Sequence, residues 1–378
     1  MDPYANYWSL NTTLFYLFIM LLGMLLSHLS SIQRNRRDAN FFLLLAFLPL
    51  FVTLILRDIS RGNDSVVYFD MFKNLQIASI GDAFSAYYLL SREPLYGLSE
   101  FLLSLCTSSL KEDSMLVVYF SMQTILWMSF MFLALREEKF KLGLAFPFAV
   151  MFGVCFPLSF NIIRNLIAVS VMLYAYTQLA QGKEKKYFIL NAVAIGFHYT
   201  AIFCLLSYFV VYSKSKLLRY GALFGTIVFI FFGATILTNI FGGLDSRYSE
   251  MGANAESFGL GLLAKRLPFL IIVLLFRKRL ISVNPSNKLY ISLLLFDLLI
   301  SQSSYVNPMF NRIALYFSAI KIFIIPSFYI ILKQSLGKST AKVVFFLFLL
   351  IWLYFAFNEY VDSNPYHFMP YYSPYFEL

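Results

Sequence analysis

Apolar residues occupy this chain in unbroken runs of about 20, the length that carries an α-helix across the hydrocarbon core of a bilayer. The runs fall at 10–29, 40–56, 115–135, 141–157, 161–181, 220–241, 259–276, 288–305, 309–331 and 342–358. Apolar positions within them are continuous, without the alternation of a membrane-spanning strand. The pattern predicts an all-α polytopic membrane protein. Two segments break a simple count. "PLYGLSEFLLSLCTSSL" (94–110) is short and carries Glu100, and "YFILNAVAIGFHYTAIFCLLSYFVVY" (187–212) has basic stretches at both ends and His198 near its middle.

Loop charge orients the runs. "SIQRNRRDAN", "RKRLISVNPSNK" and "KQSLGKSTAK" are basic, whereas the loops 57–93 and 242–258 and the tail 359–378 carry net negative charge. The positive-inside tendency places the basic set in the cytoplasm and the acidic set outside. If both irregular segments cross fully there are twelve spans, and "REEKFK" and "QGKEKK" face outward with six Lys and Arg. If both are re-entrant there are ten spans and those charges stay inside, which is the preferred reading. His198 is twelve residues beyond Lys186, about 18 Å of helix rise. That places it at the tip of a hairpin entering from the cytoplasm, where irregular backbone needs a protein-lined or wet cavity.

Composition agrees. Of 378 residues 60% are hydrophobic and 13% charged, against about 25% charged in soluble domains, and the mean hydropathy is +0.70. The shortage of charge extends along the whole chain, so residues 1–378 read as one integral membrane domain. The N-terminus lacks a basic region and a small-residue cleavage site, so the first run is expected to stay. The net charge of +10 comes from basic residues in short loops, where topology explains them, and nucleic acid is not an expected partner. Cys106, Cys155 and Cys204 lie scattered in apolar stretches, which argues against a disulfide framework or a zinc site.

Cations gather where the positive-inside tendency would not put them. Arg57 and Arg61 end the second run, Arg164 lies just inside the outer end of the fifth, and Arg247 is in an outer loop. Lys265 and Arg266 lie about 10 Å below the outer start of the 259–276 run, and Arg312 begins the 309–331 run. Singly, such residues snorkel to the headgroups. Together they also suit a cavity open to the outer leaflet that binds an anion, because guanidinium forks match phosphate oxygens. Acids stand beside them. Asp58, Asp64 and Asp70 either neutralise the arginines and cap turns, or Asp64 or Glu93 supplies a carboxylate base. His198 is either a hydrogen-bonded structural residue or a catalyst. Asp297 is an isolated intramembrane acid with a basic partner expected. Gly62 suits a turn with positive φ. The aromatic tail "YHFMPYYSPYFEL" reads equally as an interfacial belt or as a lip that stacks on sugars.

"LRDISRGNDSVVYFDMF" is similar to the R-x-x-[ST]-x-G-x-D-x-x-x-Y signature of the Wzy-type polysaccharide polymerases, above all their EpsG-like branch. "NIIRNLIAVSVMLYAY", "KKYFILNAVAIGFHYTAIF", "REPLYGLSEFL" and "NPYHFMPYY" resemble further segments of that branch. Carried over by position, the resemblance marks Arg57, Gly62, Asp64, Tyr68, Glu93, Arg164 and His198. Arg61 and Asn63 depart from the usual small apolar residue and threonine. The resemblance implies an O-antigen or exopolysaccharide polymerase of the bacterial inner membrane. Such enzymes transfer a glycan chain from undecaprenyl diphosphate to a lipid-linked repeat unit at the periplasmic face.

On this reading His198, Asp64 and Glu93 are the base candidates. Arg57, Arg61, Tyr68, Arg164, Arg247, Lys265, Arg266 and Arg312 bind the diphosphate or nearby hydroxyls. Partners are the lipid-linked oligosaccharide, the bilayer and, as a candidate, a chain-length-regulator protein. No outward loop carries a D-x-D motif, so arginine is expected to stand in for a metal, and no cofactor is implied. The rivals are a flippase of lipid-linked oligosaccharide, for which an internal repeat is missing, and an O-antigen ligase, for which a large periplasmic domain is missing.

Overall fold

A computed structural model describes residues 8–75, 93–212, 215–217, 220, 221, 224, 225, 260–302, 304, 309–362 and 368–376. Every regular element among them is helical. The helices are α1 Leu10–Ile32, α2 Arg36–Ile55, α3 Asn63–Leu75, α4 Pro94–Thr107, α5 Glu112–Leu142, α6 Ala145–Cys155, α7 Ile163–Ala180 and α8 Glu184–Phe197. They continue as α9 Leu260–Leu275, α10 Arg277–Val283, α11 Asn287–Gln302, α12 Met309–Ser318, α13 Lys321–Leu336 and α14 Lys338–Asp362. Each expected span falls on a helix except 220–241, most of which lies outside the described residues. Among the described residues, four stretches are long and apolar enough to cross a membrane: Leu10–Ile32, Arg36–Ile55, Glu112–Glu138 and Phe310–Leu336.

Local chemistry sets the helix starts. Ser9 and Asn35 have extended backbone, and their side chains accept from the Thr12 and Arg37 N–H groups at 3.3 and 2.9 Å, each satisfying a donor that the first turn leaves open. Pro94 opens α4, where a missing N–H does no harm.

The innermost helix is α7. From Asn165 to Leu179 it is buried on every side, as an all-round apolar helix requires. It packs on α5 and α8, with α12 at its N-terminal end. Next to it, α8 and the segment after it form a hairpin. The helix ends at His198, whose φ of −155° and ψ of 114° are extended, and a 3₁₀ turn follows at Tyr199–Phe203. The return arm then runs back along α8. Asn191 donates to the Ala201 carbonyl at 3.1 Å, Tyr187 to the Cys204 carbonyl at 2.8 Å, and Tyr208 to Glu184 at 2.5 Å. α4 and α5 likewise lie antiparallel, tied by Tyr119 to Glu100 at 3.0 Å and Gln123 to Tyr96 at 2.7 Å.

The C-terminal tail belongs to the core. The Tyr16 hydroxyl donates to the Phe368 carbonyl at 2.6 Å, the Tyr371 hydroxyl to the Thr53 carbonyl at 2.8 Å, and the Tyr371 N–H to Thr12 at 3.0 Å. Phe368, Met369 and Tyr371 are buried. These residues are therefore neither an interfacial belt nor an exposed lip; they close the gap between α1, α2 and the segment after α2.

Candidate active site

Three polar side chains from three elements meet inside the bundle. Glu93 caps α4 and is 2% exposed. Arg164 sits in the first turn of α7, and His198 stands at the hairpin tip. Helix rise alone brings the last two to one level: Arg164 is sixteen residues from the end of α7, about 24 Å, and His198 is fourteen from the start of α8, about 21 Å. Those two helix ends adjoin each other across the Gly182 turn. Gly196 completes the approach, because a Cβ there would lie 2.6 Å from Leu95 Cγ. Only glycine lets α8 come close enough to α4 for His198 to reach Glu93.

The Glu93 carboxylate is shared. One oxygen takes Arg164 Nη1 and the other faces His198 Nδ1. An ionised carboxylate only accepts, so Nδ1 carries a proton, and in the neutral ring the lone pair is then on Nε2. His198 Nε2 is buried with no partner among the described residues. Of the three base candidates, His198 alone presents an open basic atom in a buried setting. Both Glu93 oxygens are engaged, and Asp64 accepts from Tyr68 at 3.3 Å.

Around this core, Arg164 Nη2 donates to the Tyr68 hydroxyl at 2.9 Å and its guanidinium lies 4.6 Å over the Tyr68 ring. The Asp64 N–H donates to Asn161 Oδ1 at 2.7 Å, which pins the start of α3 to the turn before α7. Arg312 Nη2 is 3.9 Å from Asp64 Oδ2, and its side chain is 33% exposed. Arg312 is thus the most open cation beside the site among the described residues.

Arg57 and Arg61 are placed otherwise. Arg57 is sandwiched between the Phe120 and Phe160 rings and donates to the Ser159 carbonyl at 2.7 Å and to Ser65 at 3.3 Å. Arg61 is fully buried, donates to the Pro370 carbonyl at 3.0 Å and lies 4.6 Å over the Tyr372 ring. Guanidiniums expected at a diphosphate are here fastening main chain. Directly after Arg61, Gly62 has φ of 98°, and a Cβ there would fall 1.6 Å from the Phe160 carbonyl oxygen. Asp58 accepts from the Ser60 N–H at 2.8 Å, a turn contact.

Arg266 lies apart as well, donating to Asp297 at 3.2 Å, while Lys321 meets the other Asp297 oxygen at 3.3 Å. Asp297 thus has its basic partner twice over. Arg247 lies outside the described residues, as does the loop 242–258, and for Lys265 only the backbone is described. No group of three or more His, Cys, Asp or Glu suited to a metal occurs among the described residues.

Sequence reasoning passed over Asn161, Asn165, Thr200 and Tyr316. A signal for some was present: Asn161 and Asn165 bracket Arg164, and Tyr316 follows Arg312 by one helical turn, which puts both on one face.

No curated protein and no solved structure matches the chain. The profile of the EpsG family, in contrast, matches residues 40–373 and so takes in Glu93, Arg164, His198 and every residue arranged around them: the chain belongs to the EpsG family.

Proposed function

We propose that this protein is a polysaccharide polymerase of the bacterial inner membrane. It moves a glycan chain from undecaprenyl diphosphate onto a lipid-linked repeat unit, with its site open to the periplasmic face. Family membership points to polysaccharide polymerisation at a membrane. The single observation that carries the mechanism is the Glu93 carboxylate shared between Arg164 and His198, which leaves Nε2 open.

The acceptor hydroxyl gives its proton to His198 Nε2 while its oxygen bonds to the anomeric carbon of the donor chain. The bond from that carbon to the diphosphate oxygen breaks, and the electron pair leaves with the diphosphate. Glu93 holds the ring in the productive tautomer and stabilises the imidazolium that forms, the division of labour of an oriented His–carboxylate pair. Arg164 fixes Glu93. Arg312, the open cation, meets the charge developing on the diphosphate. Arg57 holds the segment that carries Asp64 and Tyr68 against the turn before α7, and Arg61 holds it to the tail.

The test is surface polysaccharide on a gel from a strain lacking the gene, complemented with variants. The deletion is expected to leave single capped repeat units without a ladder; absence of all repeats would point to a flippase or a ligase. His198→Ala is expected to leave the same single units with the protein still inserted and abundant, and His28→Ala to restore a full ladder. A normal ladder from His198→Ala would sink the mechanism.

A further inference from the structure

The residues around His198 form a closed circuit. Glu93 joins His198 to Arg164. The next residue, Asn165, donates through Nδ2 to the Tyr316 hydroxyl at 3.2 Å and to the Arg312 carbonyl at 3.4 Å. The Tyr316 hydroxyl meets Thr200 Oγ1 at 3.1 Å, and Thr200 is two residues past His198. A carbonyl oxygen only accepts, so the Arg312 carbonyl fixes which end of the Asn165 amide is nitrogen.

Three buried atoms of this circuit have no partner among the described residues: His198 Nε2, Asn165 Oδ1 and Arg164 Nε. Left bare, each such atom weakens the fold, so three of them on residues joined in one circuit call for a ligand. Their chemistry is specific. Nε2 and Oδ1 accept, and the Arg164 Nε–H donates. Phosphate brings only lone pairs and would confront two acceptors. An ammonium brings only protons and would confront the arginine. Two neighbouring hydroxyls bring two protons and the lone pairs to take the third.

We infer that Asn165 Oδ1 and Arg164 Nε hold the hydroxyl next to the one that His198 deprotonates, so that Asn165 selects acceptor sugars bearing a vicinal hydroxyl pair. This rests on His198 as the base. Asn165 does not react; it orients the sugar so that the other hydroxyl points at Nε2. A site built to pair a hydroxyl discriminates strongly against the analogue that lacks it, because its own polar groups are then left unpaired.

The probe is a panel of methyl glycosides of common hexoses, each with its monodeoxy derivatives, read by saturation-transfer NMR on the purified protein in nanodiscs. Wild type is expected to bind at least one parent glycoside, and about tenfold more tightly than the derivative lacking one hydroxyl of a vicinal pair. Asn165→Leu and Asn165→Ala should bind that parent about tenfold more weakly and no longer distinguish it from the derivative, the coupling a double-mutant cycle reads. Asn165→Asp keeps an acceptor oxygen and should keep the preference. Tyr316→Phe removes the brace from Asn165 while sparing Oδ1, and should keep it too. Wild type that binds no glycoside, or binds parents and derivatives alike as it would if a water filled the three atoms, overturns the inference. So does a preference that survives in Asn165→Leu and Asn165→Ala. Binding is read without turnover, so a normal ladder from His198→Ala would remove the catalytic mechanism while this measurement still judged Asn165.

Discussion

Glu93 is the residue on which the site turns. It is buried, it carries the countercharge for Arg164, and it sets the tautomer of His198. Breaking a buried pair from one side leaves the other charge uncompensated, at about 3–5 kcal/mol. Glu93→Gln is therefore expected to lower the melting temperature measurably and to abolish the polymer ladder. Glu93→Gln combined with Arg164→Met should recover most of the stability and none of the polymer, which separates the two roles. A double variant as unstable as Glu93→Gln alone would deny the pairing. Gly62 illustrates a backbone requirement. With φ of 98° and a carbonyl oxygen 1.6 Å from any Cβ, Gly62→Ala should accumulate poorly, measured as folded protein per cell. Sequence patterning flagged Gly62, Glu93, Arg164 and His198 one by one. It had no means of joining them, because separations of 71 positions from Glu93 to Arg164 and 105 from Glu93 to His198 give no local signal of contact.

At the level of elements, the α8 hairpin is what delivers His198. The expected irregularity at the middle of 187–212 is present as an extended residue between a helix and a 3₁₀ turn, and glycine at 196 sets how near it comes to α4. Gly196→Ala is expected to push α8 from Leu95 and reduce polymer formation up to about a hundredfold, the scale on which misplacement by an ångström acts. Leu95→Ala in the same chain should restore most of the loss by making room. If the double variant stays as low as Gly196→Ala alone, close packing at Leu95 is not what positions His198. The fifth run, 161–181, reads in the sequence like any other span. In the structure it is the innermost helix, enclosed by α5 and α8.

For the whole molecule, topology and the tail carry the predictions. With Cys106 changed to Ser, Lys111→Cys should react with an impermeant thiol reagent added from outside and Lys183→Cys should not, if both irregular segments are re-entrant. The reverse pattern would establish the twelve-span thread, since crossing both segments exchanges the sides of these two loops. The tail latches α1 and α2 to the segment bearing Arg61 through Phe368, Pro370, Tyr371 and Tyr372. Truncation before Phe368 is expected to lower the melting temperature by several degrees, since it removes buried aromatic surface and several buried hydrogen bonds. Truncation after Pro374 spares the buried residues Phe368, Met369 and Tyr371 and takes away the exposed Tyr375 and Phe376, and should cost far less. Equal stability of both truncated chains would mean that the latch contributes nothing.

By itself, the sequence determined that the chain is helical and apolar, where most of its apolar helices lie, though not α3 within the stretch read as the loop 57–93, and which rare polar residues sit among them. Those follow from near-neighbour physics: hydrocarbon thickness, the cost of a bare charge in lipid, caps and turns. Tertiary structure alone decided which of those polar residues share a site. The sequence treats Arg57, Arg61, Arg164 and Arg312 as one class, since all are guanidiniums near a run end. Packing divides them: two fasten carbonyls of the turn before α7 and of the tail, one holds Glu93, and one stays open. The division depends on which carbonyls and carboxylates the fold brings within about 3 Å, and contact at that range between distant segments is a property of the packed chain.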